Sequence, residues 1–188
     1  MIILETDRLI LRNWKDTDRD LFREINRDPK VMEFFAFRRS YEEADAMMER
    51  IKQLIADTGF CFYAMALKET DEAMGFCGLS DPMMPDIFPD GTIEIGWRLA
   101  TRFWGNGYVT EAASALLDYG FRIKGLDEIV SFAVEANHRS TAVMQRLGMT
   151  RDEAGEFTHP RVPDTHPHLQ RHVLYRLTAQ DWARRETA

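Results

Sequence analysis

The sequence predicts a single mixed α/β domain, and three observations carry that prediction. The chain has 188 residues, 45% of them hydrophobic and 29% charged, which suits one full hydrophobic core and is short for two. Segments that alternate with period two are interleaved with segments that carry apolar stripes at helical spacing. No repeat, low-complexity tract or linker interrupts the chain, so the domain is expected to span residues 1–188. Read in order, the segments run β, α, α, β, β, β, α, β, α, β, with one more short strand expected near Phe157. Strands and helices interleaved in this way build a mixed sheet covered by helices.

Each element has its own warrant. RLILRNW (Arg8–Trp14) alternates and reads as the first strand. The helix after it carries Leu21, Phe22 and Ile25 on one face and stops at Pro29. Ser40 and Glu43 have the spacing of a capping box. They open a helix with Ala44, Met47, Met48, Ile51 and Ile55 on one face that ends near Gly59, and its Met pair reads as core filler. Phe60–Leu67 and Met74–Leu79 read as strands joined by the polar KETDEA. In the loop Ser80–Gly91 three prolines forbid regular structure, and its length makes it a candidate substrate wall. Thr92–Leu99 alternates strictly: Ile93, Ile95 and Trp97 point one way, Glu94, Gly96 and Arg98 the other. Val109, Ala112, Ala113, Leu116, Leu117 and Gly120 form the stripe of a helix packed on a sheet. Glu128–Glu135 is a further strand. NHRSTAVMQRLG then reads as a turn and short helix, with Ala142, Val143 and Leu147 inward and Gly148 as a left-handed stop. Glu153–Gln170 is irregular, Arg171–Leu177 is the last strand, and TAQDW is a final turn.

The net charge of −7 and the lack of any basic block speak against non-specific nucleic-acid binding. Glu5, Asp7 and Arg8 break the opening apolar run before a signal-peptide core forms. The longest apolar run, Phe60–Leu67, is far below the roughly 20 residues that span a bilayer. A cytoplasmic location without membrane contact is expected. Cys61 and Cys77 lie in strand-like runs with no CxxC and are expected to be buried and reduced. His159, His166, His168 and His172 match no HExxH or zinc-finger spacing, so no metal is expected.

RFWGNGYVTEA (Arg102–Ala112) places two glycines between a strand and a helix. A helix start carries unpartnered amides and partial positive charge, and glycines let main chain close on a phosphate. The glycines alone leave a plain turn open. A Walker loop needs a lysine that is missing here. The dinucleotide fingerprint needs Gly or Ala where Thr110 stands, and it follows a first strand rather than a fourth.

RFWGNG does match R/Q-x-x-G-x-G/A, and so resembles the pyrophosphate loop of the GNAT superfamily of acyl-CoA-dependent N-acetyltransferases. ETDRLILRNW, IEIGWRL with FWGNGYVTEA, NHRSTAVMQRLGM and HPRVPDTHPHLQRHVLYRL are similar, in order and spacing, to the RimJ/RimL-like branch, the relatives of ribosomal-protein-alanine acetyltransferases. The similarity covers essentially the whole chain. It implies a GNAT fold: a mixed, mostly antiparallel twisted sheet of six to seven strands flanked by about four helices. A bulge would splay that sheet between its fourth and fifth strands. The resemblance also implies acetyl-CoA as cosubstrate and no metal. The acetyl group would pass to a primary amine, on a protein N-terminus or a small molecule, by direct attack in a ternary complex. A monomer or homodimer is implied.

Carried over residue by residue, the resemblance gives Trp97, Arg98 and Leu99 as main-chain partners of the pantetheine arm. Gly105, Asn106, Gly107, Tyr108, Val109 and Thr110 would offer amides to the pyrophosphate, Thr110 also a hydroxyl, and Arg102 a charge. Asn137 would touch the pantetheine arm. The Leu99 amide is the candidate donor to the oxyanion. Glu94 is the candidate base, acting through water, with Glu135 in reserve. The family's usual tyrosine acid is replaced by Met144. Ser140 matches the serine that the RimJ/RimL-like branch uses instead, and it also suits an N-cap. Neither cysteine lies in the CoA motif, so no acyl-enzyme is expected. Three other readings stay open: a small-molecule or antibiotic amine acetyltransferase, a CoA-binding protein without catalysis, and a nucleotide-binding protein. The acidic exterior suits basic acceptors such as ribosomal proteins or aminoglycosides. The acceptor itself would be set by the loops at Phe34–Ser40, Ser80–Gly91 and Glu153–Gln170, with His159 a pocket candidate.

Overall fold

A computed structural model describes residues 1–185, so the last three residues of the expected 1–188 domain lie outside the described residues. Two short strands come first, β1 (Ile2–Glu5) and β2 (Leu9–Arg12). They are followed by α1 (Arg19–Ile25), α2 (Tyr41–Thr58), β3 (Cys61–Leu67), β4 (Ala73–Ser80) and β5 (Glu94–Leu99). Next, α3 (Tyr108–Asp118) runs into a single π-type turn at Tyr119–Ile123. The remaining elements are β6 (Glu128–Val134), α4 (His138–Arg146), β7 (Thr150–Arg151), β8 (Phe157–Thr158), β9 (Arg171–Thr178) and α5 (Ala179–Arg185).

The strands make one sheet in the order β1-β2-β3-β4-β5-β6-β9-β7, with β8 beside β9. The adjacent pairs are antiparallel, apart from the parallel pair β5 and β6. The predicted fold class holds, with more pieces than expected: nine strands and five α-helices among the described residues. β1 and the two-residue β7 were not read from the sequence. α5 replaces the expected final turn, and its start is visible in hindsight. Thr178 Oγ1 accepts the Asp181 amide at 3.1 Å, a capping contact in the TAQD stretch.

Local rules explain the long helix. Ser40 Oγ accepts the Glu43 amide at 3.1 Å while the Glu43 carboxylate accepts the Ser40 amide at 2.7 Å, so both halves of the capping box form. Gly59 ends α2 in the left-handed region at φ 74°. Ala44, Met48, Ile51 and Ile55 are buried, each of the larger side chains contributing about 2 kcal/mol against water. Met47 is half-buried, packed against this core and also at the edge of a cleft.

Strand register decides which side chains share a face. Ile95 pairs with Leu79, and Leu79 lies beside Gly120 at the end of α3. Arg98 lies on the opposite face and reaches Asn26, at the end of α1. Successive strand side chains alternate faces, so Glu94, Gly96 and Arg98 all lie on the α1 side. A second, smaller core forms around Met84, Phe88, Val130 and Leu174. It fixes the proline-rich loop against β6 and β9.

Candidate active site

β5 and β6 share a single ladder pair, Glu94 with Val130. The Val130 amide donates to the Ile93 carbonyl at 2.9 Å, and Ser131 Oγ donates to the Ile95 carbonyl at 2.9 Å. Beyond Ile95 the strands part. The β4–β5 ladder runs from Glu94 to Leu99 without a register shift, so the parting needs no bulge in β5, contrary to expectation. The Ala100 amide donates to the Met74 carbonyl at 2.9 Å. In an antiparallel ladder this makes Gly75 and Leu99 a non-hydrogen-bonded pair. The main-chain groups of Trp97 and Leu99 therefore face the gap, while those of Arg98 face β4. This corrects the expectation that Arg98 lends main chain to the gap; what it gives the cleft is its side chain. Trp104 Nε1 covers the Leu99 carbonyl at 2.8 Å and leaves the Leu99 amide open.

The glycine loop closes one end of the gap. Gly105 and Gly107 sit at φ 80° and 77°, a region that only glycine enters without strain. Both are needed for conformation rather than room: a Cβ on Gly105 would meet nothing within 4 Å. The amides from Gly105 to Thr110 have no hydrogen-bond partner among the described residues. Six successive N–H groups at a helix start form an anion cradle. Glu111 anchors it. Its carboxylate accepts from Arg8 Nε at 2.6 Å, from the Arg8 amide at 3.0 Å and from Thr6 Oγ1 at 2.6 Å, while Arg8 Nη1 donates to the Asn106 carbonyl at 3.1 Å. The sequence reading missed this brace, because its partners lie 103 residues apart.

One expected phosphate contact, the Arg102 charge, points elsewhere. Arg102 is held by Glu24 at 2.5 Å and is not among the cleft-lining residues. The Asn106 side chain turns back to the Phe103 and Trp104 carbonyls, at 3.1 Å each.

Gap and loop open into one cleft of about 1340 Å³. Its lining includes Trp97, Leu99, Tyr108, Val109, Thr110 and Asn137. Glu94 lies on its floor, with no hydrogen-bond partner for its carboxylate among the described residues. Burial pushes the Glu94 carboxyl up to about 8; Arg161 opposes this and Asp81 adds to it. A carboxylate in that range is poised to exchange protons with an amine. Glu135 is exposed on the far side of the strand end, 3.5 Å from Arg151 and 3.4 Å from Arg171, and does not line the cleft.

α4 supplies the opposite wall. Asn137, not Ser140, caps it: Asn137 Oδ1 accepts the Ser140 amide at 3.2 Å. The Ser140 hydroxyl is thereby left without a partner among the described residues, and the residue lines the cleft. Met144 is buried. His159 also lines the cleft, its ring 4.7 Å from that of His172. Burial and His172 push it down to about 4, so it is neutral at pH 7. No three His, Cys, Asp or Glu side chains gather into a metal-holding group among the described residues. Cys61 and Cys77 are both buried and free, and burial raises both thiols above their ordinary range. The features fit an extended ligand that carries a pyrophosphate at one end and strand-like amides along its length.

An acyl-transfer enzyme is the class that such a split sheet, amide cradle and poised carboxylate define. The model of the acetyltransferase (GNAT) domain matches residues 8–150, and the chain belongs to that family. It is 32% identical over 148 residues to the uncharacterized protein YkkB of Bacillus subtilis (strain 168), covering 78% of this chain and 84% of the relative. It is 30% identical over 154 residues to the uncharacterized N-acetyltransferase p20 of Bacillus licheniformis, covering 81% and 84%. Among solved structures, a GNAT-family acetyltransferase from Bacillus anthracis superposes with a TM-score of 0.78 at 23% identity, over 96% of this chain and 99% of that one. RimL, a ribosomal L7/L12 α-N-protein acetyltransferase solved in complex with coenzyme A, superposes with a TM-score of 0.73 at 17% identity, over 96% and 99%. No helix of the described residues is long and apolar enough to cross a membrane.

Proposed function

We propose that this chain is an acetyl-CoA-dependent N-acetyltransferase of the RimJ/RimL-like type. It acts as one domain in the cytoplasm and moves an acetyl group to a primary amine within a ternary complex. The observation that carries this reading is continuity. The unpartnered amides of Gly105–Thr110 run directly into the open main chain of Leu99 and Trp97, and Glu94 lies beneath them in the same cleft.

Acetyl-CoA supplies the activated thioester. The cradle holds its pyrophosphate, and the edge of β5 with Asn137 Nδ2 holds the pantetheine arm as a missing strand. Glu94 takes the amine's proton, directly or through one water. A model α-amine titrates near ~7.8, close to Glu94, so the proton moves between groups of similar affinity. The Leu99 amide donates to the oxygen that gains charge. The amine nitrogen bonds to the thioester carbon, the carbon–sulfur bond breaks as the oxyanion collapses, and Ser140 passes a proton to the departing sulfur and regains one from water. Both cysteines are sealed away, which favours direct transfer.

The test is amine-dependent release of free thiol from acetyl-CoA over a mixed panel of α-amines, polyamines and aminoglycosides. Turnover with at least one amine is expected. Tight CoA binding with no turnover on any amine would instead leave a CoA-binding protein that has lost catalysis, a reading that Met144 in place of a tyrosine favours.

A further inference from the structure

Arg98 stands apart from the other inward-facing arginine of the sheet, Arg12. Arg12 is buried and fully compensated, with Asp18 and Asp71 both at 2.7 Å. Arg98 has no carboxylate partner among the described residues. Its Nη1 donates to the neutral Asn26 Oδ1 at 2.7 Å, and its guanidinium lies 4.4 Å from the Phe35 ring centroid and 5.3 Å from that of Phe76. Its Nε is sealed from water and unpartnered. Arg39 repeats the pattern: its Nε is buried without a partner and its guanidinium lies 4.9 Å from the Phe37 ring. Asn26 ties the two together, because its carbonyl accepts the Arg39 amide at 3.1 Å. Burial and the Arg39 charge push Arg98 down to about 9. A buried charge without a counterion, beside a second positive charge, is costly in the free protein, and an arriving anion relieves that cost.

Resting on the acetyltransferase reading, we propose that Arg98, backed by Arg39, binds a carboxylate of the acceptor, so that the substrate is a small amino acid rather than a simple amine. Nη1 is taken by Asn26 and Nε is sealed from solvent, which leaves Nη2 as the donor open to a carboxylate, a charge-assisted bond. The position fits. Arg98 and Glu94 lie on one face of β5, four residues and about 13 Å of strand apart, and both line the cleft. Gly96 between them carries no side chain, and the Phe62 ring lies over it, 3.0 Å from where a Cβ would stand, so the acceptor would cross that ring. The acid of the acceptor turns toward Arg98 and its amine toward Glu94. A polypeptide N-terminus carries its own α-carboxyl as an amide and so has nothing to offer the fork from that group. The acidic exterior and the cationic pocket thus act at different stages, encounter and recognition.

The experiment compares free amino acids with their carboxamides as acceptors in the thiol-release assay, using the native protein, Arg98→Met, Arg98→Lys and Arg39→Met. Carboxamide amines are the less basic, so the intrinsic bias runs against the acids. The native protein is expected to favour the acids by about 10-fold or more in kcat/KM, the scale of one charge-assisted pair. In Arg98→Met the ratio falls to within about 2-fold of unity, Arg98→Lys recovers part of it, and Arg39→Met lowers it less. Equal rates for acids and carboxamides with the native protein overturn the proposal. So does a 10-fold loss of CoA affinity in Arg98→Met with the ratio unchanged, which would assign the anion to the cosubstrate. If no amine of either kind is acetylated, the acetyltransferase reading fails, and the subsite is judged by calorimetric titration of the same amino acids into CoA-loaded protein. Binding by the native protein that Arg98→Met abolishes retains the subsite, and no binding by the native protein removes it.

Discussion

The two ends of the cleft are built from different materials. At Gly105–Thr110 the chemistry is in the main chain, six open amides held in place by two left-handed glycines. At Glu94, Ser140 and Arg98 it is in side chains drawn from separate elements, β5, α4 and, through Asn26 and Arg39, the α1–α2 connection. A main-chain site tolerates most side-chain changes and fails when its backbone conformation fails. A side-chain site behaves in the opposite way. Substitutions at the two ends should therefore break different steps, chemistry at one and cosubstrate binding at the other.

The largest effect is expected at Glu94. Glu94→Gln should lower kcat/KM by about 10³-fold, within the range for loss of a general base, with CoA affinity measured by calorimetry little changed. In the native protein the rate should rise with pH through about 8 as Glu94 ionises. In the variant that limb should vanish and leave only the amine's own ionisation. Stability should respond as well. Glu94 holds its proton to about 8 when folded and releases it near 4.5 when unfolded, so the unfolded chain gains as pH rises across that window. Glu94→Gln removes this penalty. It should stabilise the protein above pH 8 by something on the order of 5 kcal/mol and by nothing near pH 4. A variant with the same pH profile as the native protein would remove Glu94 from the chemistry.

Gly107→Val tests the other end. A β-branched residue cannot hold φ 77° cheaply, and CoA affinity should fall about 100-fold, from strain of roughly 1–3 kcal/mol and a misplaced cradle. Unchanged affinity would mean that the amides are not the phosphate site. Ser140→Ala should cost about 10-fold in kcat, and the loss should shrink with an acyl donor whose thiol leaves more readily. A constant loss across donors would point to a positional role. The smallest effect is expected for Asn137→Ala, which removes the α4 cap and one amide offered to the pantetheine arm, so CoA affinity should fall a few-fold, about the scale of one neutral hydrogen bond. Thermal melting should show a loss of about 1 kcal/mol, or roughly 2–4 °C.

The same contrast explains what could be read beforehand. The glycine loop was legible because its chemistry needs a local backbone conformation, and local conformation leaves residue types at fixed spacing. The element order was legible for the same reason, from the capping box of α2 to Gly148. β1 was not, since four residues with both end residues exposed carry too little alternation. The Glu111–Arg8 brace and the Arg98–Asn26 contact were not, because residues 103 and 72 positions apart meet only through the fold. Ser140 was half legible: its type and place were right, but only the structure shows that Asn137 takes the cap and frees the hydroxyl.

The single rung between β5 and β6 has a mechanical consequence. Four antiparallel strand junctions hold the first half of the sheet together, and three hold the second, but the seam between them has one ladder pair and the Ser131 bond. A cosubstrate lying in that seam would act as a splint. Hydrogen exchange should show the Trp97 and Leu99 amides open in the free protein and protected when CoA is bound. The two halves should also melt more nearly as one body with the splint in place, so that this enzyme's cooperativity would belong partly to its substrate.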